Sequence, residues 1–278
     1  MGGREGAQTA TNSAKESMKV FERGEFRKHR RIIGALVVRE MVTRYGREGL
    51  GFLWIIGEPL VFCFGVMLLW SLMKPEYEHG IRLAPFVMTG YMSILLFRHM
   101  LASCAGALQA NVGLLHHRIV RPLHLYLSRA LLEVGGGTAA FAFVYVVLLV
   151  GGSVSPPHDI LLVFSGYLIL AVISLGFSMT FSALIIRFEV LERVLPVVMY
   201  IMIPLSGAFV MVDWIPAEYR ELYLLNPLPH TIEMVRAGVF GEFVPTHYHP
   251  LYAIAWALGL TFVGLVLLSE TQKFLDVE

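Results

Sequence analysis

ILLVFSGYLILAVISLGFSMTFSALII, residues 160–186, runs for 27 positions without an Asp, Glu, Lys or Arg. A bilayer core about 30 Å thick is crossed by about 20 residues of helix. Lipid offers the backbone no hydrogen-bond partner, so a helix, which satisfies its own N–H and C=O groups, is the natural form for this stretch. Working outward, five more stretches have the length and apolarity of spans: 52–73, 84–108, 130–151, 194–212 and 251–269. The last two are also free of charge. The others carry ionisable residues: Glu58 in the first, Arg98 and His99 in the second, Glu133 in the third. The chain is 56% hydrophobic and 15% charged, against about 25% charged in an ordinary soluble domain. The alternating period of a β-barrel is absent. The expected fold class is an all-α integral membrane protein with six transmembrane helices.

The positive charge sets the orientation. Of the 22 Lys and Arg residues, 11 precede the first span, and 17 lie on that side once the loops and the C-terminal tail are added. The opposite side holds 4, and Arg98 lies within a span. The positive-inside rule then places both termini in the cytoplasm. Residues 1–51 lack the apolar core of a secretory signal. Cys63 and Cys104 fall inside spans and read as small buried hydrophobes, not as a disulfide framework.

Residues 1–25, rich in Gly, Ala, Thr, Ser and Glu, read as a disordered cytoplasmic tail. Residues 26–51 read as an amphipathic interface helix. Ile33, Leu36, Val37 and Met41 lie at helical spacing, with Arg30, Arg31, Arg39 and Arg44 between them. It can dock a cytoplasmic partner, lie on lipid, or do both. Residues 52–278 form the membrane domain. The 109–129 loop is basic and free of acids, with Leu114, Leu115, Ile119 and Val120 at helical spacing. It reads as a short amphipathic helix over about 111–122 that ends near Pro122. Such a helix is either a handle for a soluble partner or a plain interfacial turn. His116 and His117 are adjacent, which is poor spacing for one metal. Residues 213–250 are apolar in patches broken by Pro227 and Pro229. Two short helices re-entering the membrane over about 213–240 account for this. His247 and His249 have metal-ligand spacing for an extended strand, without an evident third ligand.

Charge within the spans is costly and has to face protein or water. Glu58 precedes Pro59, which is expected to kink the first span. Arg98 and His99 point about 100° apart on a helix; Arg98 is the better candidate for a cavity-facing charge, or snorkels toward an interface if the span is shorter. Arg129 and Glu133, four residues apart, read as a local ion pair. None of the five Lys residues is followed by Ser or Thr, so a phosphate-binding loop is missing. A nucleophile elbow, a paired zinc-ligand helix and a dinucleotide fingerprint are missing too. No cofactor is expected on this chain, and ATP drive would have to come from a separate subunit.

Arg39-Glu40, Thr43 to Gly46, Leu50 to Trp54 and Glu58-Pro59 together resemble the start of type-2 ABC exporter permeases, in particular capsular polysaccharide export permeases of the KpsM type. Further blocks agree: Asn111 and Gly113 with Arg118 to Pro122, then Ser128 to Glu133, then Asn226-Pro227-Leu228 with His230, Glu233 and Arg236. Their order over residues 39–240 is more specific than any one of them. The Gly135-Gly136-Gly137 run is outside that pattern.

The resemblance implies a permease in the bacterial inner membrane that works as two copies of itself. It implies two copies of a nucleotide-binding ATPase that uses ATP and Mg, and handover to periplasmic and outer-membrane capsule export proteins. The implied substrate is a lipid-linked polysaccharide, with no nucleic acid involved. The implied ATPase-coupling residues are Leu114, Leu115, His117, Arg118, Ile119 and Arg121, with the interface helix residues Arg39, Glu40 and Arg44 alongside. A conduit for a sugar polymer is more easily built between two copies than inside one bundle. Its candidate lining is Trp54, Glu58, Phe62, Tyr91, Arg98, Tyr126, Arg129 and Tyr200, the aromatics stacking on sugar rings and the cations drawing in an acidic chain. An exporter of O-antigen or teichoic acid would have much the same outline. A different class, an ion-coupled secondary transporter, would use Glu58, Arg98 and Glu133 as coupling groups. A membrane-embedded transferase would need an acid–base cluster that the sequence lacks.

Overall fold

The computed structural model describes residues 25–44, 46, 50–116, 119–241 and 244–275. The tail expected over 1–25 therefore lies almost wholly outside the described residues, as do His117 and Arg118. Helix α1 spans residues 25–44. Its inward stripe of Ile32, Leu36, Glu40 and Arg44 recurs every four residues along one helix face.

Helix α2, Leu50–Met73, carries Pro59 inside it. A hairpin of β1, Tyr77–Glu78, and β2, Ile81–Arg82, joins it to α3, Leu83–Ala105. The hairpin pairs Tyr77 with Arg82 and Glu78 with Ile81. His79 and Gly80 both take positive φ, 52° and 81°, as a tight two-residue loop between twisted strands requires.

A 3₁₀ turn, Gln109–Asn111, and the five-residue helix α4, Val112–His116, follow α3. This differs from the expected single helix ending at Pro122. Pro122 instead opens the next helix, α5, Pro122–Val150. Proline is favoured in a first turn because the N–H it lacks would have no partner there. The helix of the third expected span thus begins at 122, not at 130.

Helix α6, Ile160–Arg187, is capped by Asp159, whose side chain accepts the Leu162 N–H at 3.0 Å. Helix α7, Val190–Leu205, has 16 residues with Pro196 and Pro204 inside it. Two short helices occupy the 213–240 segment: α8, Ala217–Tyr223, and α9, Pro227–Phe240, the latter started by Asn226 and Pro227 and buried along most of its length. Helix α10, Pro250–Leu275, ends the described chain.

Among the described residues, Leu53–Met73, Pro122–Val150, Ile160–Arg187 and Pro250–Thr271 are long and apolar enough to cross a membrane. Leu83–Ala105 joins this group if it and its continuation, Gln109–Leu115, bent by 56°, are taken as one span. α7 does not reach that length. Helix α6 lies at the centre, packed on α10, α9 and α3. One core cluster gathers Phe97, Met100, Leu125, Tyr126, Leu170 and Ile232. A second, towards the hairpin, gathers Cys63, Met88, Val144 and Met211. Both cysteines are free and buried. Two of the three glycines of the run have a packing cause: Gly136 faces Ile55 of α2 so closely that any Cβ would collide with that side chain, and Gly137 faces the Tyr167 hydroxyl, while Gly135 faces open space.

Candidate functional site

The densest group of charges lies where α1, the turn after α3 and the start of α5 meet. Each residue's place follows from helix geometry. Glu40 sits on the inward stripe of α1, one turn after Leu36 and one turn before Arg44, and is only 4% exposed. A carboxylate buried this deeply needs partners, and three guanidinium groups supply them. Arg39 Nη2 lies 3.1 Å and Arg129 Nη2 3.3 Å from Glu40 Oε1, and Arg44 Nε lies 3.4 Å from Oε2. Burial pushes the Glu40 carboxyl upward, but Arg129, Arg39 and Arg44 outweigh it and hold it below the usual carboxylate range.

Each cation has a second anchor. Arg39 also donates to Asn111 Oδ1, and Asn111 Nδ2 donates to the Ala107 carbonyl at 2.8 Å. Arg129 donates to the Ser103 carbonyl at the end of α3. Arg44 Nη1 donates to Glu133 Oε1 at 2.7 Å. Glu133 in turn faces His99, with Oε2 at 3.9 Å from Nδ1, and His99 Nε2 lies 3.9 Å from Glu58 Oε1 on α2. Three carboxyl groups, Glu40, Glu58 and Glu133, and three guanidinium groups, Arg39, Arg44 and Arg129, thus meet in one cluster around His99. A second tie joins α1 to α5, where His29 Nδ1 and His124 Nε2 are 2.8 Å apart. The His124 Nδ1 accepts the Arg121 N–H at 3.1 Å, so Nε2 carries the proton and donates to His29.

These residues line an open cleft of about 450 Å³ bounded by Arg44, Glu58, His99, Ser103, Arg129 and Glu133. A narrower recess beneath it reaches Pro59, Gly136 and Gly137. Charge-assisted contacts from guanidinium N–H groups to carboxylate oxygens are shorter and stronger than neutral ones. The arrangement is suited to holding five segments in register.

The expected site residues fall into separate groups. Arg129 and Glu133 do not pair with each other as expected. Arg129 turns to Glu40 and Glu133 to Arg44, because α1 supplies complementary charges at the same spacing. Arg98 does not enter the cleft. It lies over the Tyr200 ring of α7, 5.3 Å from its centroid, and His99 takes the cleft position instead. Trp54 and Phe62 on α2 and Tyr200 on α7 are exposed. Tyr91 is half-buried beside Phe209. Tyr126 is fully buried, donating to Ser182 Oγ at 2.6 Å, and presents no surface to a conduit. Leu114 and Leu115 pack against the core, whereas Ile119 is 64% exposed and Arg121 is exposed. His247 is turned to Asp213, at 3.0 Å, and among the described residues no cluster of three or more His, Cys, Asp and Glu could hold a metal.

Sequence reasoning names Asn111 and His99 but not their place in this cluster, and it puts Glu40 on the helix without its burial. The signal for Glu40 was available: a lone acid on the apolar stripe of an otherwise basic helix. At the other end of the molecule, Arg236 on α9 is fully buried. It donates to the Gly207 and Ala208 carbonyls, both at 2.7 Å, and lies 3.3 Å from Glu233. That cation pins the turn after α7 against α9.

Residues 31–240 match the family described as ABC-2 type transporter. The chain is 34% identical over 244 residues to the capsule polysaccharide export inner-membrane protein CtrC of Neisseria meningitidis serogroup B, covering 88% of this chain and 92% of that protein. It is 32% identical to the capsule polysaccharide export inner-membrane protein BexB of Haemophilus influenzae, over 87% and 92%. It is 26% identical to the polysialic acid transport protein KpsM of Escherichia coli, over 87% and 93%. The matched region takes in α1 from Arg31 onward, the charge cluster, the turn after α3 and all of α9, so the cluster around Glu40 lies inside the shared part. The chain belongs to the ABC-2 type transporter family.

Proposed function

We propose that the chain is the inner-membrane permease subunit of an ATP-driven transporter that exports lipid-linked capsular polysaccharide. The observation that carries this reading is its similarity, along most of both chains, to two proteins named for capsule polysaccharide export. Polysialic acid, named for a third relative, is an acidic polymer, which suits a conduit bearing Arg98.

Six crossings with both termini in the cytoplasm fit the 17-to-4 division of Lys and Arg. In this topology α7 is the fifth crossing, its 16 helical residues extended by the apolar stretch to Val212. α8 and α9 re-enter from the outer side. Energy comes from two copies of a separate ATPase subunit that binds ATP and Mg. It docks at α1 and at the 111–122 segment, where Ile119 and Arg121 are exposed and His117 and Arg118 complete the basic run. Two copies of the chain enclose the conduit. Exposed Trp54, Phe62 and Tyr200, together with Glu58, Tyr91 and Arg98, are its lining, and periplasmic and outer-membrane partners receive the polymer. Arg129 serves the charge cluster instead.

One observation favours a second reading. Glu58, His99 and Glu133 form a carboxylate–imidazole–carboxylate line among membrane helices, as a proton-coupled carrier would need. The test of the first reading is a host strain lacking this chain. Polymer should accumulate inside the cell and vanish from the surface, and both should be reversed by the restored gene. Normal surface polymer without the chain would refute it.

A further inference from the structure

We infer that Glu40 is a positioning residue that makes the ATPase-facing turn and membrane helix α5 move as one body, so that its charge couples ATP use to export. The inference rests on the transport reading above and adds to it a residue and a path. Glu40 is the carboxylate on which the links of the joint meet, in direct contact with Arg39 and Arg44 of its own helix and Arg129 of α5. Through Arg39 it reaches Asn111 in the turn after α3. Through Arg129 it reaches α5 and the Ser103 carbonyl at the end of α3. Through Arg44 it reaches Glu133, and from there His99 and Glu58 within the bundle.

Arg39 and Arg129 sit on the same oxygen, Glu40 Oε1, at 3.1 and 3.3 Å. A displacement of the turn that pulls Arg39 through Asn111 is therefore passed across that shared oxygen to Arg129 on α5. Without the charge, Arg39 still holds Asn111 and Arg129 still holds Ser103. The two halves stay assembled but can slide, because a carboxamide gives a guanidinium one neutral acceptor in place of two charged ones. The cleft beside the cluster, about 450 Å³ and open, leaves room for that movement. Nothing in the arrangement asks Glu40 to meet substrate or nucleotide.

The test uses the full chain with its ATPase partner in liposomes, measuring ATP hydrolysis and polymer export in the same preparation. Glu40→Gln should keep assembly and ATP hydrolysis while export per ATP falls about tenfold, the scale of an ordinary coupling free energy. Glu40→Asp, which restores the charge on a shorter stem, should recover part of the loss. If Glu40→Gln does not assemble, Arg129→Gln gives the same readout from the other side of the contact. Unchanged export per ATP in the assembled variant would overturn the inference. So would loss of hydrolysis and export in equal proportion, which is what a purely structural role gives. A wild-type complex that exports nothing with ATP would overturn the transport reading and, with it, this inference.

Discussion

Glu40 of α1 meets Arg129 of α5 at 3.3 Å, and one turn further along both helices Arg44 meets Glu133 at 2.7 Å. Each helix carries an acid and a base four residues apart, in opposite order. Two pairs that could close locally therefore close across the gap, and the docking of α1 is written in both segments at once. Arg44 also keeps a contact with Glu40, at 3.4 Å, which makes the unit a network and not two isolated bridges.

Removing one member of a buried pair leaves the other without compensation. Arg129→Ala is expected to cost about 3 kcal/mol, because Glu40 stays buried and loses a main partner. The double variant Glu40→Ala with Arg129→Ala should cost less than the sum of the single changes. Thermal unfolding of the detergent-solubilised protein, read as a double-mutant cycle, checks this. Strict additivity would mean that the contact carries no energy of its own.

The joint should also have an acid limb. The Glu40 carboxyl is held below its ordinary value in the folded protein, while the unfolded chain has a carboxyl near the reference of about 4.3. Its contribution is therefore fully present above that reference and is lost as pH falls through the lower folded value. Stability measured from pH 7 down to pH 3 should fall at the acid end, and Glu40→Gln should flatten that fall. An identical acid limb in the variant would exclude Glu40 as its source.

Ile119 and Leu115 were both expected on one coupling helix, and the structure separates them. Ile119→Asp should leave the unfolding temperature unchanged, since the side chain is exposed, and should lower ATPase binding and export. Leu115→Asp should lower the unfolding temperature, because Leu115 packs against the core and burying a carboxylate there is costly. Pull-down of the ATPase alongside thermal unfolding distinguishes the two.

Gly90 of α3 lies directly against the Ala208 carbonyl and Arg236. Gly90→Ala is expected to cost about 1–3 kcal/mol, the range for overpacking a filled core, by lifting the turn after α7 off its Arg236 anchor. Thermal unfolding checks it. No change would mean that the turn yields freely.

Much of the fold was legible because a bilayer imposes one simple demand, about 20 apolar residues per helix. Residues 160–186 and 251–269 meet it outright. Helix ends are less legible than apolarity: α5 begins at Pro122, before the apolar stretch that starts at 130, and α7 stops at Leu205 although apolar residues continue to Val212. Arg98 was preferred to His99 because it carries the more certain charge, but which residue faces a cleft depends on helix rotation, and local spacing carries no information about that. The burial of Tyr126 was hidden for the same reason, since its partner Ser182 is 56 residues away. Glu40 carries a signal that the sequence reading leaves unused: a single acid at the spacing of an apolar stripe points to a buried partner, though not to which one.

The deciding measurement is transport by purified protein in liposomes loaded with labelled acidic polymer, made with and without the partner ATPase. Movement of polymer that requires the ATPase, requires ATP and Mg, and ignores an imposed proton gradient is the expected result. Movement driven by a proton gradient in liposomes holding this chain alone would contradict it, and would make the Glu58–His99–Glu133 line the working site instead.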